Sequence, residues 1–149
     1  MSLNKIKIGI LGCASIAKRF VIPNMIKSGK YDLKYIASRN INKAKNFTKI
    51  FGGEPVEGYA QLLNKNDIEA IYIPLPTGMH FKWIMASLEA NKHVFVEKSI
   101  TTEYYEVEKI IEVASKRELC VFENFMFPFH SQINHVKNKI LDGSIGDIK

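Results

Sequence analysis

The sequence is poor in cysteine: of 149 residues only Cys13 and Cys120 qualify, far apart in the chain. That excludes a disulfide framework and a zinc cluster, and both thiols are expected to be reduced. No apolar run approaches the ~20 residues that a bilayer demands. The opening MSLNKIKIGILG enters a strand-like pattern and lacks the cleavage site of a signal peptide. These absences predict a cytoplasmic protein with no membrane partner and no metal. Acid is scarce where base is abundant. Residues 1–50 hold 11 Lys or Arg against one acid, Asp32, whereas residues 51–149 hold 10 basic and 14 acidic residues, within a net charge of +6. A basic segment attracts nucleic acid, an anionic surface or a phosphorylated ligand. A solvated lysine-rich face explains it equally well.

What is present is an ordinary globular balance, 46% hydrophobic and 24% charged, which excludes disorder, collagen and coiled coil. The length predicts one domain that buries roughly two thirds of its unfolded surface. Nearly continuous apolar runs at residues 5–11, 33–37, 69–75, 93–97 and 119–123 suit strands covered on both faces of a parallel sheet. Segments of helical period at 15–27, 42–51, 80–90 and 102–116 alternate with them. In the last, Val107, Ile110, Ile111 and Ala114 make the apolar stripe, and Thr102 is the expected cap. A further helix at 131–141 carries Ile133, Val136, Ile140 and Leu141 on one face and stops at Gly143. This alternation predicts a doubly wound parallel α/β sheet, a single domain over residues 1–125. Residues 126–149 are the helix and the start of a connection, with Asp147 to Lys149 opening another strand.

The first strand runs into Gly12-Cys13-Ala14-Ser15-Ile16-Ala17. Read as the dinucleotide fingerprint G-x-G-x-x-G/A, it has Gly12 first, Ala14 second and Ala17 third. The chemistry asks for a tight turn, close approach to a pyrophosphate and close packing of helix on strand, in that order. Gly12, Ala14, Ser15 and Ile16 are therefore candidate cofactor contacts, although any small-residue turn would look similar. An NAD site places an acid at the end of the second strand to hold the ribose. Asp32 precedes that strand, at the wrong end, and the correct end offers Ser38 and Arg39, with Lys43 one turn on. A hydroxyl and a guanidinium suit a 2′-phosphate, so NADP is preferred over NAD. Ligands of open parallel sheets bind beyond the strand C-termini, which adds Pro74, Leu75, Pro76, His80, Glu97 and Lys98. Taken alone, His80 reads as a helix-start surface residue and Lys98 beside Glu97 as a surface ion pair.

The assembly GILGCASIA, YIASRN, GYAQLL, IEAIYIPLPTGMH, SLEANKHVFVEKS and ENFMF resembles the N-terminal domain of the glucose-fructose oxidoreductase and myo-inositol dehydrogenase family. VFVEKS, matching that family's E-K-P signature, carries the most weight. The resemblance implies a Rossmann fold and a nicotinamide cofactor. It implies that Lys98 is the catalytic residue at the reacting hydroxyl of a sugar or cyclitol, and that the segment from Pro76 to His80 lies along the cofactor. It also implies a second, substrate-binding domain beyond this chain, so that these residues alone bind cofactor without turnover. Ser99 stands where the signature has proline, and Pro128 where many relatives have arginine. A non-catalytic NADP-binding or sensing module is the alternative. A nucleic-acid binder ranks last, because no recognition motif accompanies the charge. A homo-oligomer remains open.

Overall fold

The structure, a computed structural model, describes residues 4–146; the strand expected at residues 147–149 lies outside them. In chain order it comprises β1 (Ile6–Leu11), a π-helical turn (Ala17–Val21) running into α1 (Ile22–Ser28), β2 (Tyr31–Ser38), α2 (Ile41–Phe51), β3 (Glu54–Glu57) and α3 (Tyr59–Leu63). There follow β4 (Ala70–Ile73), α4 (His80–Glu89), β5 (His93–Glu97), α5 (Tyr104–Lys116), β6 (Val121–Asn124) and α6 (Ser131–Leu141). The strands form one parallel sheet in the order β3-β2-β1-β4-β5-β6.

The central apolar strands β1, β2 and β4 are covered on both sides, whereas β5 and β6 are covered on one, short of the two-sided burial their apolar runs predict. On one face Ile8, Ile10, Ile36 and Tyr72 pack with Ile22 and Met25 of α1 and with Phe47 and Phe51 of α2. On the other, Ile71, Ile73, Val94 and Val96 meet Leu62, Ile84, Leu88 and Ile110 from α3, α4 and α5. Each such aliphatic side chain contributes roughly 1.5–3 kcal/mol when fully buried. The chain winds outward from β1 through β2 to β3, then returns across the sheet to start β4 on the other side of β1. Right-handed crossovers consequently put α1 and α2 on one face and α3 to α5 on the opposite one. Beyond the C-terminal ends of β1 and β4, where the winding reverses, the layers part and leave a crevice.

The sheet has a strand that sequence patterning does not mark. β3 is short and contains Pro55, which has no N–H to donate; that restricts it to an edge, where β2 pairs with it on one side only. β2 also begins earlier than expected, so Asp32 lies inside it, near its N-terminal end, 3.8 Å from Lys34. The expected cap Thr102 is not used: Glu103 occupies the N-cap of α5 without a side-chain bond. Of that helix's stripe Ile110 and Ala114 are buried, but Ile111 is 59% exposed. The α6 stripe is not packed either, since no residue of α6 is buried and Leu141 is 84% exposed. On the α1 side, no described helix covers β5 and β6. The aromatic row Tyr72, Phe95, Phe122 and Phe129, with successive centroids 5.0, 5.7 and 6.4 Å apart, runs out to solvent there.

Candidate functional site

The β1 turn is fixed by its backbone. Gly12 N–H donates to the Ala37 carbonyl of β2 at 3.0 Å, and Gly12 has φ +129. The positive φ calls for glycine whatever the space, and a Cβ there would sit 2.8 Å from Leu75 Cδ2 on β4's exit loop, so Leu75 would have to move aside. Gly9 likewise admits α3, where a Cβ would be 2.9 Å from Leu62 Cδ1. The chain is helical from Ser15. The first-turn N–H groups have no intrahelical acceptors, as at every helix start, and face the crevice with the positive end of the helix dipole. Ala14 and Ala17 keep the turn small, and Ala17 is fully buried beneath it.

At the end of β2, Ser38 is buried and its Oγ accepts the Asn40 N–H at 3.2 Å. Asn40 caps α2, its Oδ1 accepting the Asn42 N–H at 2.9 Å. This turn leaves Arg39 and Lys43 exposed on the same side as Ser38 and Ala14, around a cleft of about 340 Å³. Cys13, Tyr59, Met79 and the loop Pro74 to Pro76 complete its walls. Burial pushes the Cys13 thiol up, against smaller downward pulls from the Ser38 hydrogen bond and the Lys43 charge. A thiol so placed is a packing group and not a nucleophile.

The loop at residues 74–76 is shared with a second cleft of about 660 Å³, which extends from Ala14, Ser15 and Ile16 to Glu97, Lys98, Asn124 and Phe125 to Phe127. Lys98 is exposed in its wall, and the Lys98–Ser99 peptide bond is cis. Side chains from three elements pin the segment around it. Glu97 Oε1 accepts bonds from the Tyr72 hydroxyl and from Asn124 Nδ2. Ile100 N–H donates to Glu123 Oε1 at 2.8 Å. The His80 ring lies 2.8 Å from the Ser99 carbonyl through Nδ1 and 2.7 Å from the Leu75 carbonyl through Nε2.

Two surface readings are thereby corrected. His80 is 0% exposed; it ties the β4 and β5 exit loops together from beneath and lines neither cleft. Glu97 and Lys98 do not pair. The structure brings together Ala14, Ser15, Ile16, Ser38, Arg39, Lys43, Pro74, Leu75, Pro76, Glu97 and Lys98 around two adjoining clefts that share Ala14 and the Pro74 to Pro76 loop as a wall, with Gly12 beside that loop. The sequence reading omitted Asn40, Tyr72 and Asn124. Asn124 follows directly on the apolar run 119–123 and Asn40 lies two residues past the end of β2, which is a usable signal; Tyr72 looks like any core aromatic. A third concavity, of about 620 Å³, lies at the opposite end of the strands between Ile6, His93 and Cys120. It arises from the uncovered sheet face, away from the helix N-termini.

The residues present suit a nicotinamide dinucleotide. A glycine cradle that a Cβ would fill lies at the centre. Hydroxyl, guanidinium and ammonium donors stand at one end, and a carboxylate and a lysine at the other. A doubly wound sheet with its crevice at the switch point and a small-residue turn onto a helix start defines a dinucleotide-binding domain of the Rossmann type. The chain belongs to the oxidoreductase family with an NAD-binding Rossmann fold, whose model matches residues 6–125.

The chain is 44% identical over 146 residues to a dTDP-3,4-didehydro-2,6-dideoxy-alpha-D-glucose 3-reductase from Actinomadura kijaniata, covering 98% of this chain and 44% of that enzyme. It is similar, with TM-score 0.94 and 44% identity over 97% of this chain and 46% of that one, to the crystal structure of the 3-ketoreductase KijD10 from the same organism, in complex with TDP-benzene and NADP. It also resembles scyllo-inositol dehydrogenase from Lactobacillus casei with bound NAD(H) and scyllo-inositol, with TM-score 0.83 and 29% identity over 97% of this chain and 43% of that one. The chain thus spans less than half the length of these relatives.

Proposed function

We propose that this chain binds NADP in preference to NAD, as the cofactor domain of a protein that transfers hydride between nicotinamide and a sugar carbon. The substrate class that best fits is a nucleotide-linked keto-deoxysugar, as in the Actinomadura reductase. The observation that carries the reading is the pair of adjoining clefts on either side of the Pro74 to Pro76 loop. One holds Ser38, Arg39 and Lys43, where β2 ends without an acid, and the other holds the helix start and Lys98.

In this reading each part has one task. Arg39 and Lys43, with the Ser38 hydroxyl, hold the 2′-phosphate by charge-assisted bonds. The N–H groups after Ala14 take the pyrophosphate. Leu75 and Pro76 wall the ring side and exclude water. Bound nicotinamide supplies or accepts the hydride. Lys98 donates a hydrogen bond to the sugar oxygen, polarising a carbonyl or steadying an alkoxide. Lys98 at the wall of the crevice favours a catalytic protein over a non-catalytic binding module.

Calorimetric titration of the 149 residues with NADP and NAD tests the cofactor half, and tighter NAD binding would defeat it. The chemical half is tested in a polypeptide extended to the relatives' length. NADPH consumption at 340 nm should follow with a dTDP-linked keto sugar and vanish in Lys98→Ala. Full turnover in Lys98→Ala would remove Lys98 from its role.

A further inference from the structure

Glu97 ends β5, and its carboxylate is gripped from both neighbouring strands. Asn124 is its ladder partner on β6 and donates from Nδ2 to Oε1 at 2.7 Å. On the other side Tyr72 of β4 pairs with Phe95. Period-two alternation places Phe95 and Glu97 on the same face, where the Tyr72 hydroxyl donates to the same Oε1. Tyr72 is fully buried and stacked on Phe95 at 5.0 Å, so this donor is held by packing.

Both partners are neutral. Burial first, and then the Glu97 hydrogen bond and charge, push the Tyr72 phenol far above its ordinary range, so it stays a donor and adds no second anion. The ion pairs among the described residues all lie elsewhere: Asp32 with Lys34, Glu112 with Lys109 and Lys116, and Asp142 with Lys139. The Glu97 charge is therefore oriented but not neutralised, in the wall of the cleft that also holds Lys98.

Oxidised and reduced nicotinamide dinucleotides carry the same phosphates and differ by a positive charge on the ring. We infer that Glu97, clamped by Tyr72 and Asn124, is a fixed anion at the nicotinamide end of the crevice that favours the cationic, oxidised ring over the neutral, reduced one. The inference rests on the cofactor reading above. It gives Glu97 a role distinct from holding the loop: it biases the bound redox pair, and it stabilises positive charge as it develops when hydride leaves the reduced ring.

The test is the ratio of dissociation constants, Kd(NADPH)/Kd(NADP+), measured by calorimetry on the 149-residue chain. Glu97→Gln keeps shape and an acceptor oxygen but removes the charge. The ratio should fall about tenfold, equivalent to about 1.4 kcal/mol, chiefly through weaker NADP+ binding. Tyr72→Phe keeps the charge and loosens the clamp, so the ratio should fall less than in Glu97→Gln. Should Glu97→Gln fail to fold by far-UV circular dichroism, Asn124→Ala, which also keeps the charge and removes the second clamp donor, should lower the ratio as Tyr72→Phe does, and an unmoved ratio in both overturns the inference. Equal weakening of both forms, with the ratio unmoved, overturns the inference and leaves Glu97 a structural prop. Failure of the unmutated chain to bind either form overturns the cofactor reading itself, and the inference with it.

Discussion

Gly12→Ala isolates what the β1 turn demands. The residue has φ +129, a conformation that side chains rarely adopt, and its N–H is anchored to Ala37 at 3.0 Å, so the turn cannot relax without losing a bond to β2. A strained backbone of this kind costs of order 1–3 kcal/mol. The added methyl also lies 2.8 Å from Leu75 Cδ2, with Leu75 Cγ and Pro74 Cγ at 3.7 and 3.8 Å. Leu75 can swing its flexible end away at little cost in stability, but it walls both clefts and swings into the ligand's space. At roughly 2–4 °C per kcal/mol for a chain near this size, the unfolding midpoint should drop by about 2–12 °C, and NADP affinity should fall as well. Gly78→Ala is the control, since nothing lies within 4 Å of a Cβ there and its φ is not positive; its midpoint should stay within about a degree of the parent. Thermal unfolding by circular dichroism, with and without NADP, reads both quantities. A Gly12→Ala chain with the parent's midpoint and affinity would refute the reasoning. A lower midpoint with unchanged affinity would place the ligand elsewhere.

Arg39→Ala should cost roughly 1.5–3 kcal/mol of NADP affinity, the range for hydrogen bonds to charged groups, and leave NAD binding unchanged in the same calorimeter. His80→Phe removes the imidazole N–H that bridges toward the Leu75 and Ser99 carbonyls, at about 1–3 kcal/mol for the carbonyl that loses its donor, and chemical denaturation should show the loss as a lower midpoint in urea. Glu112 is held at about 2, from 4.5, by hydrogen bonds from Lys116 and then Lys109. A depressed carboxylate stabilises above its unfolded value, and that stabilisation disappears as pH falls from 4.5 toward 2. Glu112→Gln and parent should therefore melt together at the acid end and diverge slightly above it, with the gap closing in about 1 M salt because the pairs are exposed. Phe125, Met126, Phe127 and Phe129 are 52%, 66%, 58% and 77% exposed. An apolar patch of this kind promotes self-association, and sedimentation should show it rising with concentration and reduced in Phe127→Ser.

The sequence alone determined the winding. Continuous apolar runs between helical segments admit few arrangements besides a parallel sheet covered on both faces, and the small residues from Gly12 to Ala17 mark where a backbone must come close to something. The absence of an acid after β2 was equally legible, because strand polarity assigns Asp32 to the wrong end whatever its neighbours. Other features depended on tertiary placement. β3 is four residues with a proline, and what makes it a strand is the open edge of β2, not its own pattern. The stripe on α5 was real as periodicity, yet Ile111 faces water, because helical period says which residues share a face and not how wide a neighbour covers it. His80 looked like a surface residue at a helix start; only the folded chain brings the Leu75 and Ser99 carbonyls, from two different loops, to its two nitrogens. Glu97 and Lys98, adjacent in sequence, looked like a pair. Strand register decided otherwise by handing Glu97 to Tyr72 and Asn124, 25 and 27 residues away, because hydrogen bonds across a sheet follow ladder position and not distance along the chain.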